Sequence, residues 1–155
     1  MLVAALLAAF HYLALALGLG SVFARGLQLR QLRRLPQDEQ ALVALFRADN
    51  GWGGAALLWI ATGLFRAFGG LEKGSAFYLR NGFFYVKMGL FVLVLALEVL
   101  PMVTFIRWRI ARAKGGLSIA AATVGPLIRL NDLEVVIVVL IPFVAALMSR
   151  GAWLF

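Results

Sequence analysis

The sequence contains no cysteine and only one histidine, His11, among its 155 residues. The absence of cysteine excludes disulfide bonds, iron–sulfur clusters and thiolate-bound metals. A single histidine cannot supply a metal site that needs several imidazole ligands. The sequence also has no glycine-rich phosphate-binding motif and no His-Glu-x-x-His pattern. The usual sequence evidence for a nucleotide-binding protein or a zinc hydrolase is therefore missing.

Charged residues are scarce, at 14% of the chain, and apolar residues reach 63%. Soluble domains average about 25% and about 45–50% respectively, so a soluble fold of this length would lack polar residues for its surface. The net charge of +8 comes from basic residues that fall mainly into two segments between apolar runs. That distribution is typical of the cytoplasmic loops of a membrane protein, and nucleic-acid binding is not expected.

Four apolar segments predict transmembrane helices over residues of about 2–23, 50–68, 82–105 and 127–148. At about 1.5 Å of rise per residue, each is long enough to cross a hydrocarbon core of about 30 Å. The basic segments follow the first and third helices, so the positive-inside rule places them in the cytoplasm. The predicted fold is an all-α transmembrane four-helix bundle with both termini outside. Its main partner is the lipid bilayer, and a homo-oligomer is left open.

The boundaries of these helices carry further predictions. Arg25 marks the cytoplasmic exit of the first helix, and Pro36 to Glu39 predict a break followed by a helix start. Asp49 and Asp132 precede apolar runs and are predicted to cap helix N-termini. The segment 71–81, which includes Glu72, forms the short outer loop.

Ionisable residues inside membrane helices are costly, so each one marks a candidate site. His11 lies in a stripe of small residues that repeats at helical spacing: Ala4, Ala8, Ala14, Gly18 and Ser21. Such a stripe faces another helix or a flat cofactor. His11 therefore either forms an interhelical hydrogen bond or ligates haem iron, and spacing alone favours the hydrogen bond.

Lys87 and Glu98 are candidate catalytic residues in the third helix. Lys87 either extends to the outer headgroups or holds an anionic group. Glu98 lies in mid-span, where a carboxyl group must be protonated, paired or hydrated. It belongs either to a proton path or to an ion pair, with Arg66 or Arg129 as partner. The order of the helices places His11, Arg66 and Lys87 in the outer half of the membrane, which is the predicted location of a site.

Four stretches of the sequence resemble a family of small bacterial membrane proteins classed as a domain of unknown function. They are Phe10-His11-Tyr12, Arg47-Ala48-Asp49-Asn50-Gly51-Trp52-Gly53, Glu72-Lys73-Gly74-Ser75-Ala76-Phe77-Tyr78 and Phe83-Phe84-Tyr85-Val86-Lys87-Met88. The resemblance covers nearly the whole chain. That family is in turn distantly similar to the four-helix, haem-binding protoporphyrinogen IX oxidases and to copper-resistance D-type membrane proteins.

The resemblance implies a haem b redox protein of the bacterial inner membrane with periplasmic termini. In the oxidases the key residues are a histidine early in the first helix and a lysine early in the third, and His11 and Lys87 occupy these places. His11 would be the metal-binding axial ligand, and Lys87 and Arg66 would hold propionates or an anionic substrate. Quinone and porphyrin are the implied partners of such an oxidoreductase. The chain lacks the further histidines of the oxidases, so a non-catalytic accessory bundle and a copper or small-anion transport component stay as alternatives.

Overall fold

Long helices dominate the computed structural model, which describes residues 1–70 and 73–155. In this part of the chain the helices are α1 (Leu2–Arg34), α2 (Glu39–Phe68), α3 (Ser75–Leu79), α4 (Gly82–Ala113) and α5 (Ala121–Ser149). The prediction of an all-α protein is confirmed. Glu72, part of the predicted outer loop, lies outside the described residues.

Three of these helices, α1, α4 and α5, are long and apolar enough to cross a membrane. This finding confirms that the chain has transmembrane helices. The remaining long helix, α2, has several glycines, Trp52, Trp59 and Arg66 in its apolar half, and these residues lower its mean hydropathy. Its assignment as a fourth span stays a prediction.

The helices extend well beyond the segments that were predicted to span the membrane. The first continues to Arg34, and only residues 35–38 separate it from α2, while residues 114–120 separate α4 from α5. The two basic segments are therefore largely helical. A hydropathy pattern detects only the apolar part of a helix, whereas Leu, Arg and Gln are good helix formers in any solvent. The extensions are held together by a buried cluster that includes Leu32, Leu45 and Phe105.

The turn between α1 and α2 lies where the sequence predicted a break followed by a helix start. Asp38 is the N-cap of α2, and its carboxylate accepts hydrogen bonds from the Ala41 N–H at 2.9 Å and from Gln31 at 3.0 Å. These two bonds lower the pKa of Asp38 below its ordinary value. The predicted capping roles of Asp49 and Asp132 are wrong, because both residues lie inside helices. An apolar run that begins after an acidic residue does not show whether the helix began earlier.

The packing order leaves an opening between α2 and α4. The first helix packs along α2 and α5, and α5 packs along α4, whereas the backbones of α2 and α4 approach each other less closely. A groove therefore separates α2 from α4.

The C-terminal tail folds back onto the start of α4, where the Gly82 N–H donates to the Trp153 carbonyl at 3.0 Å.

Candidate functional site

Arg25 is completely buried and contacts side chains from each of the three other long helices. Its Nη1 donates to both carboxylate oxygens of Glu98 at 2.9 Å, and Nη1 also lies 3.5 Å from Asp49 Oδ1. Its Nη2 donates to Glu134 Oε2, and its Nε donates to Asn131 Oδ1 at 2.8 Å. The guanidinium thus joins α1 to α2, α4 and α5. We call Arg25, Asp49, Glu98 and Glu134 the Arg25 cluster.

The neighbours of Arg25 explain how a charged side chain fits between helices. Gly26 follows it, and a Cβ atom there would lie only 2.6 Å from Asn131 Nδ2, so glycine permits the close approach of α1 to α5. The rings of Trp52 and Phe105 each lie 5.9 Å from the guanidinium carbon, where cation–π attraction operates. The arginine therefore has hydrogen-bond acceptors in its plane and aromatic rings beside it.

The structure places Arg25 inside α1, which continues to Arg34, and its side chain is fully buried. Its position at the cytoplasmic exit of the membrane span stays a prediction. Glu98 is indeed paired, but its partners are Arg25 and the Trp52 indole N–H, at 3.0 Å, rather than Arg66 or Arg129. A basic residue that directly follows an apolar run is typical of a loop, but Arg25 lies within a helix. The signal that could have found the pairing was the set of acids on three separate helices, since each needs a cation.

Two atoms around the cluster have no hydrogen-bond partner in the part of the chain that the structure describes. Glu134 Oε1 is buried without a donor, and Arg109 Nε is buried without an acceptor. The carboxyl groups of Glu134 and Glu98 bind the same guanidinium. Glu134 and Asn131 were not among the predicted site residues.

The Arg25 cluster borders the groove between α2 and α4, which has a volume of about 480 Å³. The side chains of Asp49 and Glu98 are 15% and 19% exposed, and both line this groove. Arg25 itself is shielded behind them. The aromatic and apolar residues that line the groove include Trp52, Trp59, Phe91, Val94, Met102 and Ile106.

Arg109 is bound at one end of the groove. It donates to Asp49 Oδ2 at 2.8 Å, to Asn50 Oδ1 at 2.9 Å and to the Phe46 carbonyl at 3.1 Å. Its guanidinium also lies over the Phe46 ring, 4.7 Å from the centroid. With this residue included, the site contains three carboxyl groups and two guanidinium groups, so it carries one excess negative charge when every group is ionised.

His11 forms a hydrogen-bonded chain with α2. Its Nε2 accepts from the Trp59 indole N–H at 2.9 Å, and its Nδ1 lies 2.9 Å from Thr62 Oγ1. The Thr62 hydroxyl donates to the Leu58 carbonyl at 2.7 Å, so Nδ1 is the donor to Thr62 and the imidazole is neutral. Gly63 leaves room for the ring, because a Cβ there would lie 3.3 Å from His11 Cε1.

This geometry does not fit an axial haem ligand as it stands. Iron needs the Nε2 lone pair, which here accepts the hydrogen bond of Trp59. The hydrogen-bonding alternative for His11 is the one that these contacts support.

Among the described residues, His11 and Arg66 of the predicted outer site both contact Tyr12. Arg66 lies over the ring of Tyr12, 5.5 Å from its centroid, and Tyr12 directly follows His11 in the sequence. Lys87 lies 5.6 Å from the centroid of Phe84, on its own helix. Phe84 belongs to a separate aromatic cluster with Tyr78. The proposed roles of Arg66 and Lys87 towards an anionic group stay predictions.

Comparison with known protein families matches residues 3–152 to the family described as "Predicted membrane protein (DUF2214)". The chain belongs to this family. The match confirms the resemblance to membrane proteins of unknown function and agrees with the transmembrane helices. Comparisons with curated proteins and with solved structures gave no match.

The Arg25 cluster predicts a large effect of removing its cation. Arg25→Leu should lower the free energy of unfolding by about 3–5 kcal/mol, because it leaves buried carboxylates without a partner. Adding Glu134→Gln to Arg25→Leu should restore part of the loss. The measurement is unfolding of the purified protein in mixed micelles, followed by circular dichroism.

The matched control is Arg30→Leu, which removes an exposed ion pair with Asp132. Its effect should be below about 1 kcal/mol, as for other surface pairs. Equal losses in Arg25→Leu and Arg30→Leu would show that the buried cluster has no special role in stability.

The contacts of His11 predict a structural effect of its removal and no change of colour. His11→Ala should lower the free energy of unfolding by about 0.5–2 kcal/mol, because it removes two interhelical hydrogen bonds. The visible spectrum of the purified wild-type protein should show no Soret band. A Soret band that is lost in His11→Ala would contradict this expectation and establish His11 as a haem ligand.

Proposed function

We propose that this protein is a proton-linked transport component of the membrane and that the Arg25 cluster is its proton-binding site. The observation that carries the proposal is the contact of one fully buried arginine with carboxyl groups from three other helices. A single structural ion pair would need one carboxylate. The additional acids supply a group that can take up and release a proton.

The charge balance of the site supports proton binding. The three carboxyl groups exceed Arg25 and Arg109 by one charge, and a net charge in a low-dielectric interior is unfavourable. One proton neutralises the site. Glu98 and Glu134 are the residues to share it, since both bind Arg25 and Glu134 Oε1 has no donor among the described residues.

The position of Glu98 supports exchange of that proton with the surroundings. Its side chain is 19% exposed and lines the groove, whereas Glu134 is completely buried. A proton therefore enters or leaves through Glu98 and is held between the two carboxyl groups. Trp52 and Arg25 fix the orientation of the Glu98 carboxylate through hydrogen bonds to both oxygens.

We also propose the finer topology, in which α2 is a fourth span and both termini are outside the bacterial inner membrane. The support is that α2 packs along α1 over much of its length and follows it after a linker of residues 35–38. A helix that crosses beside its neighbour in this way forms an antiparallel hairpin across the bilayer. The basic ends of α1 and α4 then lie in the cytoplasm.

Haem b binding by His11, with quinone or porphyrin as partner, is what the resemblance implies, and the Soret band tests it. The distant similarity to protoporphyrinogen oxidases and copper-resistance D-type proteins remains a prediction. Copper or small-anion transport, a non-catalytic accessory role and homo-oligomerisation also remain predictions. Of the transport alternatives, the excess of carboxyl groups favours a cation over an anion.

The topology predicts the location of reporter fusions. Alkaline phosphatase fused after Phe155 should be active, because it folds only outside the cytoplasm, and green fluorescent protein at the same position should be dark. The same pair of reporters fused after Gly116 should give the opposite result. A fluorescent C-terminal fusion would contradict the external position of the terminus.

The proton-binding site predicts a titrating carboxyl group inside the membrane domain. Infrared difference spectra of the protein in nanodiscs, recorded over about pH 5–9, should show a protonated carboxyl band from the cluster. Glu134→Gln and Glu98→Gln should each remove or shift this band, because each deletes one of the two groups that share the proton.

Glu39→Gln is the matched control, since Glu39 forms an exposed ion pair with Arg112. It should leave the band unchanged. A spectrum in which neither cluster substitution alters a carboxyl band would overturn the proposed function.

A further inference from the structure

We propose that the groove between α2 and α4 is a binding site for a lipophilic organic monocation. The inference rests on the proposed function for its link to protons, but the binding site itself follows from the walls of the groove. Its lining contains two carboxylates, aromatic rings and apolar side chains.

The carboxylates give the groove its preference for positive charge. Asp49 and Glu98 are partly exposed in it, whereas Arg25 is completely buried behind them. Arg109, at one end, is already held by Asp49, Asn50 and the Phe46 carbonyl. The lining of the groove therefore contains two carboxylates, Asp49 and Glu98, and one guanidinium, Arg109, which is 34% exposed.

The aromatic walls suit a cation that also has apolar groups. Trp59 and Phe91 contact each other edge to face, with centroids 6.0 Å apart, and Trp52 lies closer to the carboxylates. Faces of indole and phenyl rings attract organic cations through their quadrupoles, most strongly where water is excluded. Apolar side chains such as Val94, Met102 and Ile106 complete the lining and match the hydrocarbon part of such a ligand.

The size and accessibility of the groove fit a small organic ion. Its volume of about 480 Å³ lies within the range of about 300–1,000 Å³ that is usual for small-molecule sites. At Gly53, on its wall, an added Cβ would meet no atom within 4 Å, so this part of the wall is open. A lipophilic ion can therefore reach the groove directly from the bilayer.

The unpaired oxygen of Glu134, which also supports the proton-binding proposal, connects cation binding to proton release. Oε1 is completely buried and has no donor among the described residues. Either a proton on the Glu98–Glu134 pair or a cation beside Glu98 neutralises the excess negative charge. Binding of one monovalent cation therefore favours release of one proton, and no bond other than O–H is broken.

The test uses two ions of the same shape and opposite charge, tetraphenylphosphonium and tetraphenylborate. Equilibrium dialysis against the wild-type protein in nanodiscs should show saturable phosphonium binding and at least tenfold weaker borate binding, after subtraction of empty nanodiscs. Phosphonium affinity should fall by up to tenfold for each pH unit below the titration of the carboxyl pair. Equal saturable binding of both ions would overturn the proposal.

Matched phenylalanine variants localise the binding. Phe91→Ala should weaken phosphonium binding about threefold or more, because it removes one ring of the groove. Phe143→Ala, at an exposed position on α5, should leave the affinity unchanged. Equal affinities of these two variants would show that the groove is not the site.

The outcomes separate the two proposals. A titrating carboxyl band without saturable phosphonium binding would overturn the cation site and leave the proton-linked function standing. Phosphonium binding that depends on Phe91 but not on pH, without a titrating band, would overturn the proton-linked function and retain the cation site.

Discussion

The rest of the structure depends on the burial of Arg25 among carboxyl groups from three other helices. Apolar helices in a bilayer gain little from contact with each other, because lipid solvates their side chains equally well. Polar contacts between helices therefore specify which faces meet. One guanidinium with fixed hydrogen-bond directions sets the rotation of α1 and selects the faces of α2, α4 and α5 that turn towards it.

Several local features follow from this constraint. Gly26 is required where α1 approaches Asn131, and Trp52 occupies the space beside the guanidinium while it donates to Glu98. The same contacts leave α2 and α4 apart, since both reach Arg25 with side chains rather than with close backbone packing. The groove is thus a consequence of how the cluster holds these two helices.

The sequence predicted the class of fold, the transmembrane helices and the helix start within Pro36 to Glu39 from local patterns, because hydropathy and helix-start signals depend on neighbouring residues. It identified Glu98 as a residue that needs a partner, but it could not identify Arg25 as that partner. Pairing across 73 residues depends on the rotation of two helices, which no local pattern contains. His11 shows the same limit: its stripe of small residues predicted a helix contact, whereas Trp59 and Thr62 as partners required the three-dimensional structure.

The number of acids distinguishes a structural cluster from a functional one. A buried arginine is neutralised by one carboxylate, and further buried acids lower stability when they are ionised. The site nevertheless contains Asp49, Glu98 and Glu134 against Arg25 and Arg109, and one carboxylate oxygen has no donor. Departures from optimal stability in proteins are concentrated at functional sites. The excess carboxyl group therefore points to a site that exchanges positive charge rather than to an ion pair that only holds helices together.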